Sequence, residues 1–316
     1  MKVLDAAQTA ASLPFERLIP VLREAFVTGA EAPLRHRHDI AQPDGTTAAL
    51  LLMPAWRTNG MLGVKVVSVY PGNGVRKLPA VSASYLLCDG ATGEHLALID
   101  GAELTRRRTV AASALVASFL ARDDAASLLI VGAGHIAGLM AAAYRVVRPI
   151  SRVRVWNIRE AGAARLVARL RADGVAAESV ADLAAAVAEA DIVTCATLAR
   201  TPLVQGAWLR AGAHLDLIGG FTPAMREADD EAVRRARVFI DTDAALAESG
   251  DLIDPIAHGV LGRDAISGSL FTLCRGTTPG RRDAREITLF KSVGSALEDL
   301  AAAALAYAEE AQDGQA

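Results

Sequence analysis

An apolar run, Leu128-Leu129-Ile130-Val131, leads directly into Gly132-Ala133-Gly134-His135-Ile136-Ala137, and this junction constrains the fold more than any other stretch of the chain. Gly132 permits a tight turn after a strand. Gly134 lets the backbone approach a pyrophosphate, and Ala137 is small enough for the following helix to pack closely on the strand. The first turn of such a helix offers amide N–H groups and a favourable dipole to phosphates. Alone, a G-x-G-x-x-A pattern is a weak signal; what makes it specific is a strand before it, a helix after it and a βαβ series beyond.

That series is present. Ser127–Val131, Arg152–Asn157, Asp191–Ala196, His214–Ile218 and Val238–Asp241 read as short strands, separated by helical stretches near 135–147, 160–172, 182–190 and 230–236. Such alternation implies an α/β fold with a doubly wound parallel sheet covered on both faces. The region upstream is different. A helix at Phe15–Thr28 precedes β-type runs at Ala48–Met53, Met61–Val69, Val81–Asp89 and Glu94–Asp100, with Asp89-Gly90-Ala91-Thr92-Gly93 as a hairpin connection. A helix from about Glu103 to Ala121 leads into the second region. The alanine-rich stretch Ser292–Ala311 reads as a last helix that returns to the first region, because the expected Rossmann strands end well before it. With 316 residues, two domains are expected: a β-rich α+β domain of residues 1–118 with 297–316, and a Rossmann domain of 119–296 inserted into it.

Composition removes several classes. A net charge of −3, with no basic stripe on any expected face, argues against nucleic acid as a partner. Cys88, Cys195 and Cys274 have neither metal nor redox-motif spacing, so no metal site is expected and a reduced, cytoplasmic protein is. The N-terminus has no charged-then-apolar signal pattern. Ala125 to Tyr144 is uncharged and long enough to span a bilayer, but its glycines mark a buried strand and a packed helix, so no membrane partner is expected.

The end of the second Rossmann strand bears on the choice of nicotinamide cofactor. NAD-binding units place an acid there to hold the ribose hydroxyls, whereas this chain has Trp156-Asn157-Ile158-Arg159. Asn157 does not repel a 2′-phosphate and Arg159 can pair with one, which favours NADPH over NADH. Arg159 can equally be a solvated residue ahead of the next helix. His135, within the glycine turn, either touches phosphate or faces solvent; solvent is the expectation.

Two cations stand where the pattern asks for apolar residues. Arg108 lies on the helical stripe of Leu104, Ala111, Leu115 and Phe119. A buried arginine must be paired or must hold an anion; an internal salt bridge and a ligand site both meet that need. Lys65 lies in Gly63-Val64-Lys65-Val66-Val67-Ser68-Val69, apolar on both faces. It has either a lowered pKa and an anionic partner, or the role of an edge lysine that blocks strand pairing. The cluster Arg35-His36-Arg37-His38 is harder to read, since most such charges are solvated.

Together these positions resemble the ornithine cyclodeaminase and mu-crystallin family. The matching segments are Gly63 to Asn73, Leu78 to Ala83, Arg108 to Ala114, the glycine turn, and Phe290-Lys291-Ser292-Val293-Gly294; they span nearly the whole chain in the family's order. The resemblance implies a homodimer with a split substrate and dimerisation domain and an inserted Rossmann domain. It implies carboxylate binding by Arg35 and Arg108, with Lys65 at the reacting centre. It also implies that Ser292–Gly294 lies near the nicotinamide, so that with the positions read above the expected cofactor set is Gly132, Ala133, Gly134, His135, Ile136, Asn157, Arg159, Thr197, Ser292 and Gly294. One departure is informative. Cyclodeaminases carry an aspartate after paired glycines, and here Gly219-Gly220 is followed by Phe221, which takes no proton. Phe221-Thr222-Pro223-Ala224-Met225-Arg226-Glu227 instead resembles the family's reductases of cyclic imino acids. The resulting expectation is NADPH-dependent reduction of Δ1-pyrroline-2-carboxylate, and of Δ1-piperideine-2-carboxylate. Ornithine cyclodeamination, an alanine dehydrogenase role and a non-catalytic crystallin-like role are the alternatives.

Overall fold

A computed structural model describes the backbone of residues 1–313 and the side chains of residues 1–310. The chain begins with β1 (Lys2–Leu4), α1 (Ala6–Ala11) and α2 (Phe15–Thr28). Leu18, Ile19, Leu22, Ala25 and Phe26 bury one face of α2 at helical spacing. There follow β2 (His36–Ala41), β3 (Thr47–Trp56), β4 (Met61–Val69), β5 (Val81–Asp89), β6 (His95–Asp100) and α3 (Gly101–Leu120). The strands form one six-stranded sheet in the order β1-β6-β5-β4-β3-β2, antiparallel apart from the β1–β6 pair. Period-two alternation decides its faces. On β4, Gly63, Lys65 and Val67 are buried, whereas Leu62 and Val66 are exposed.

The second set of elements is β7 (Ser127–Val131), α4 (Ala137–Val147), β8 (Arg152–Trp156), α5 (Glu160–Ala172), β9 (Ala177–Ser179), α6 (Leu183–Glu189), β10 (Ile192–Cys195) and β11 (His214–Leu217). After these come α7 (Asp230–Arg235), β12 (Arg237–Ile240), α8 (Ala245–Glu248), α9 (Gly250–Ala257), β13 (Gly268–Ser269), α10 (Leu270–Cys274) and β14 (Thr288–Lys291). All eight strands are parallel, in the order β13-β12-β14-β11-β10-β7-β8-β9. Strands buried on both faces read as continuous apolar runs; Leu129, Val131, Val193, Leu215, Leu217 and Leu289 form the centre of the core. The order in which strands are added reverses between β7 and β10, the switch point at which open α/β sheets bind ligands.

The last helix, α11 (Ala296–Asp313), packs on α2 and on β3, β4 and β5. By contacts the chain divides into an outer unit, 1–108 with 295–316, and an inner unit, 109–294. The break falls inside α3 and just ahead of α11.

Several readings of the sequence need correction. The Rossmann strands do not end well before the last helix: β14 lies directly ahead of it and inserts between β11 and β12. The helix starts at Ala296 rather than Ser292. Gly294 takes a positive φ of 82°, and Asp241 captures the Val293 and Gly294 amides, so helical geometry cannot begin earlier. The charged cluster at 36–38 belongs to the exposed edge strand β2, paired with β3. Lys65 is not an edge lysine, because β4 is paired on both sides. The apolar stretch 125–144, by contrast, forms the expected strand and helix, β7 and most of α4, and among the described residues no helix is long and apolar enough to cross a membrane.

Candidate functional site

The inner unit presents the glycine turn at the C-terminal end of β7. Gly132 adopts φ +114°, and a Cβ there would lie 2.6 Å from the Ala196 carbonyl oxygen. A side chain is thus excluded both by the backbone and by the end of β10. Around Gly134 a Cβ would meet nothing within 4 Å, so open space lies beside the turn. No side chain caps the N-terminus of α4, which leaves its first amides for a ligand. These features fit the pyrophosphate of a dinucleotide. His135 is exposed. The Asn157 side-chain amide donates to the Arg159 carbonyl at 2.8 Å, closing the turn after β8, and Arg159 is exposed at the start of α5.

Other expected cofactor residues are held by acids the sequence did not announce. Thr197 donates its amide and its hydroxyl to Glu227 Oε1, each at 2.7 Å. Glu227 Oε2 accepts from the Gly219 amide at 2.7 Å and the Gly220 amide at 3.3 Å. One carboxylate therefore ties the loop after β10 to the loop after β11. Burial pushes Glu227 up to about 7, against the pull of Lys291. Lys291 is fully buried and pairs with Asp251 at 2.8 Å. Asp241 Oδ2 accepts from the Ser292 hydroxyl at 3.0 Å and from the amides of Val293 and Gly294. Beneath this layer Asp216 accepts from Tyr144 at 2.6 Å and Thr194 at 2.8 Å, and burial raises it to about 6. Phe221, just after the paired glycines, is 46% exposed.

The outer unit brings Lys65 and Arg108 together. Lys65 Nζ lies 2.7 Å from Asp299 Oδ2, and Arg108 donates from Nε to Asp299 Oδ1 and from Nη1 to Glu298 Oε2, both at 2.8 Å. All four groups are at most 5% exposed. Two cations thus face two acids, the balance that buried charges require. Burial pushes Lys65 down to about 8, against the pull of Asp299. Burial opposes the charged form of Arg108 as well, but Asp299 and Glu298 overrule it and raise its pKa. Gly63 has a local reason: the Tyr85 ring lies across it, and a Cβ there would fall 2.3 Å from the phenol oxygen. Tyr85 Oη is buried and has no hydrogen-bond partner among the described residues. Arg35 is half-buried on the segment leading into β2.

The sequence reading missed Glu298 and Asp299, although the signal was there: two acids in the first turn of a helix, directly ahead of the apolar, alanine-rich run 300–308, as anomalous as Arg108 on its own stripe. Glu227, Asp241 and Asp251 lie in loops or short helices, where no periodicity marks them.

A parallel dinucleotide-binding unit, joined to a β-sheet unit that buries a lysine and an arginine against two acids, defines a class of two-unit dinucleotide-dependent protein. The ornithine cyclodeaminase/mu-crystallin family model matches residues 2–315, and the chain belongs to that family. It is 41% identical to a Δ1-pyrroline-2-carboxylate reductase of Paracoccus denitrificans, over 88% of each chain. The structure of the Thermococcus litoralis Δ1-pyrroline-2-carboxylate reductase in complex with NADH and L-proline is similar, with a TM-score of 0.92 at 36% identity, over 99% of this chain and 98% of that one. An archaeal alanine dehydrogenase dimer with bound NAD has a TM-score of 0.90 at 27% identity, over 99% of this chain and 97% of that one.

Proposed function

We propose that the chain is a nicotinamide-dependent oxidoreductase that reduces the C=N bond of cyclic imino acids: Δ1-pyrroline-2-carboxylate to L-proline, and Δ1-piperideine-2-carboxylate to L-pipecolate. The observation that carries this reading is the buried Lys65–Arg108 pair in a family member similar to reductases of that substrate. A guanidinium has five N–H donors and an ammonium three. Arg108 and Lys65 commit only some of theirs to Asp299 and Glu298, which leaves donors for a substrate carboxylate. Arg35 adds a second guanidinium to that task.

When bound, the cofactor supplies a hydride to the imine carbon. The chain's own part is to fix the carboxylate, hold the ring in one orientation and provide a proton for the imine nitrogen. Lys65, with a pKa near 8, suits proton transfer near neutral pH, where donors are most effective. The alternative, cyclodeamination of ornithine, needs a proton acceptor after the paired glycines. Phe221 is none, and Glu227 is fully buried with both oxygens already accepting hydrogen bonds.

NADPH is the proposed cofactor, with NADH used more weakly, because no acid stands at the end of β8 and Arg159 is exposed beside it. The proteins similar in structure carry NADH or NAD, so this preference rests on Asn157 and Arg159 alone. The proposed assembly is a homodimer through the open face of the six-stranded sheet, where Leu62 and Val66 are exposed and Leu52 lies opposite Val66. Cys88 and Cys195, both buried as free thiols, suit a reducing cytoplasm.

The test is cofactor oxidation with the two cyclic imines, with pyruvate plus ammonia, and with ornithine alone. Oxidation with an imine far above the other conditions supports the reading. Ammonia release from ornithine, or no oxidation with either imine, rejects it.

A further inference from the structure

We propose that Asp299 is a positioning residue, which keeps Lys65 charged and aligned while the same carboxylate holds Arg108. The inference rests on the imine-reductase reading for the task of Lys65, but its geometry does not. Asp299 lies in the first turn of α11, where the helix dipole favours a carboxylate. Its two oxygens are divided, Oδ2 to Lys65 Nζ at 2.7 Å and Oδ1 to Arg108 Nε at 2.8 Å. Glu298 already faces Arg108 Nη1 at 2.8 Å, so charge balance at the arginine does not require a second acid. Lys65 does require one.

The groups around Lys65 come from each element packed against it. Glu298 and Asp299 belong to α11, Arg108 to α3, and Tyr85 is its register partner on β5. Met53, its partner on β3, does not titrate. Burial and Arg108 favour the neutral amine; Asp299 and, more weakly, Glu298 favour the ammonium. Only the ammonium can give a proton to an imine nitrogen, so the alkaline limit of turnover follows Asp299.

The experiment compares wild type with Asp299→Asn, Asp299→Glu and Glu298→Gln. It measures the pH profile of kcat/KM for Δ1-pyrroline-2-carboxylate, and in parallel the 15N NMR titration of Lys65 Nζ, assigned by its loss in Lys65→Met. Cofactor affinity, read by nicotinamide fluorescence, reports folding of each variant. In Asp299→Asn both the alkaline limb and the Nζ midpoint should fall by about one pH unit or more, the size of effect an adjacent opposite charge exerts. In Glu298→Gln they should fall by less. Asp299→Glu should keep the limb near that of wild type but lose about tenfold in kcat/KM, since the longer acid displaces Lys65. Unmoved limb and midpoint in Asp299→Asn overturn the proposal. Should Asp299→Asn not fold, wild-type kcat/KM in Asp299→Glu overturns it. If wild type reduces no imine while the Nζ midpoint still moves in Asp299→Asn, the substrate reading fails and the role of Asp299 stands.

Discussion

Asp299 Oδ2 lies 2.7 Å from Lys65 Nζ while Oδ1 of the same carboxylate lies 2.8 Å from Arg108 Nε, so one acid of α11 joins strand β4 to helix α3. Segments about two hundred residues apart in the chain thereby form a single buried charge cluster. Because none of its charges can be removed without leaving another unbalanced, the cluster fixes the geometry of the two cations before any ligand arrives.

Replacing Lys65 by Met removes the proposed proton donor and keeps most of the side-chain volume. Imine reduction should fall by about 100-fold or more, the usual contribution of a positioned acid, while cofactor affinity in the inner unit stays near that of wild type. Steady-state kinetics together with a fluorescence titration check both halves. Unchanged turnover would sink the assignment.

The same substitution gives a stability signature. The folded pKa of Lys65 is near 8, below the ordinary 10.5. Between those values the unfolded chain binds more protons than the folded one, so the contribution of Lys65 to stability rises with pH across that window. Denaturant unfolding of wild type relative to Lys65→Met should therefore improve from pH 8 to pH 10.5, by at most about 3 kcal/mol. A difference that stays flat or falls contradicts the lowered pKa.

Gly132→Ala should abolish most cofactor binding. The new Cβ meets both the positive φ of 114° and the Ala196 carbonyl oxygen at 2.6 Å; strain of this kind costs about 1–3 kcal/mol before any clash is counted. Calorimetry should show at least about a tenfold loss in affinity, with the outer unit's Lys65–Asp299 cluster unchanged.

Arg159→Ala should raise Kd for NADPH by about tenfold, as expected for loss of a charge-assisted contact to the 2′-phosphate, and leave NADH binding nearly unaltered. Equal losses for both cofactors would remove the basis for the NADPH preference.

Much of the inner unit was legible because its signals are local. The strand Ser127–Val131, the glycine turn and the helix over 160–172 each carry their own periodicity or turn residues, and the structure forms them over nearly the same residues. β14 escaped because four residues ending in a buried lysine, Thr288-Leu289-Phe290-Lys291, show no alternation. It is a strand only through pairing with β11 and β12. In the candidate site, Lys65 and Arg108 were visible as charges misplaced in apolar patterns. Their partners stood out only as two acids in the first turn of α11; that Asp299 pairs with Lys65 depends on how α11 packs over β4, which no local pattern encodes. Glu227 and Asp241 were hidden for a related reason: their work is to accept backbone amides from other loops.

The central claim, hydride transfer from a nicotinamide to the imine carbon of a cyclic imino acid, is tested most directly by isotope. The enzyme would be given Δ1-pyrroline-2-carboxylate and NADPH deuterated at nicotinamide C4, each face labelled in turn, and the product analysed by mass spectrometry and NMR. The account predicts L-proline carrying one deuterium at C2 from one of the two labelled cofactors. Proline formed without label from either, or formed only from ornithine with release of ammonia, would contradict it.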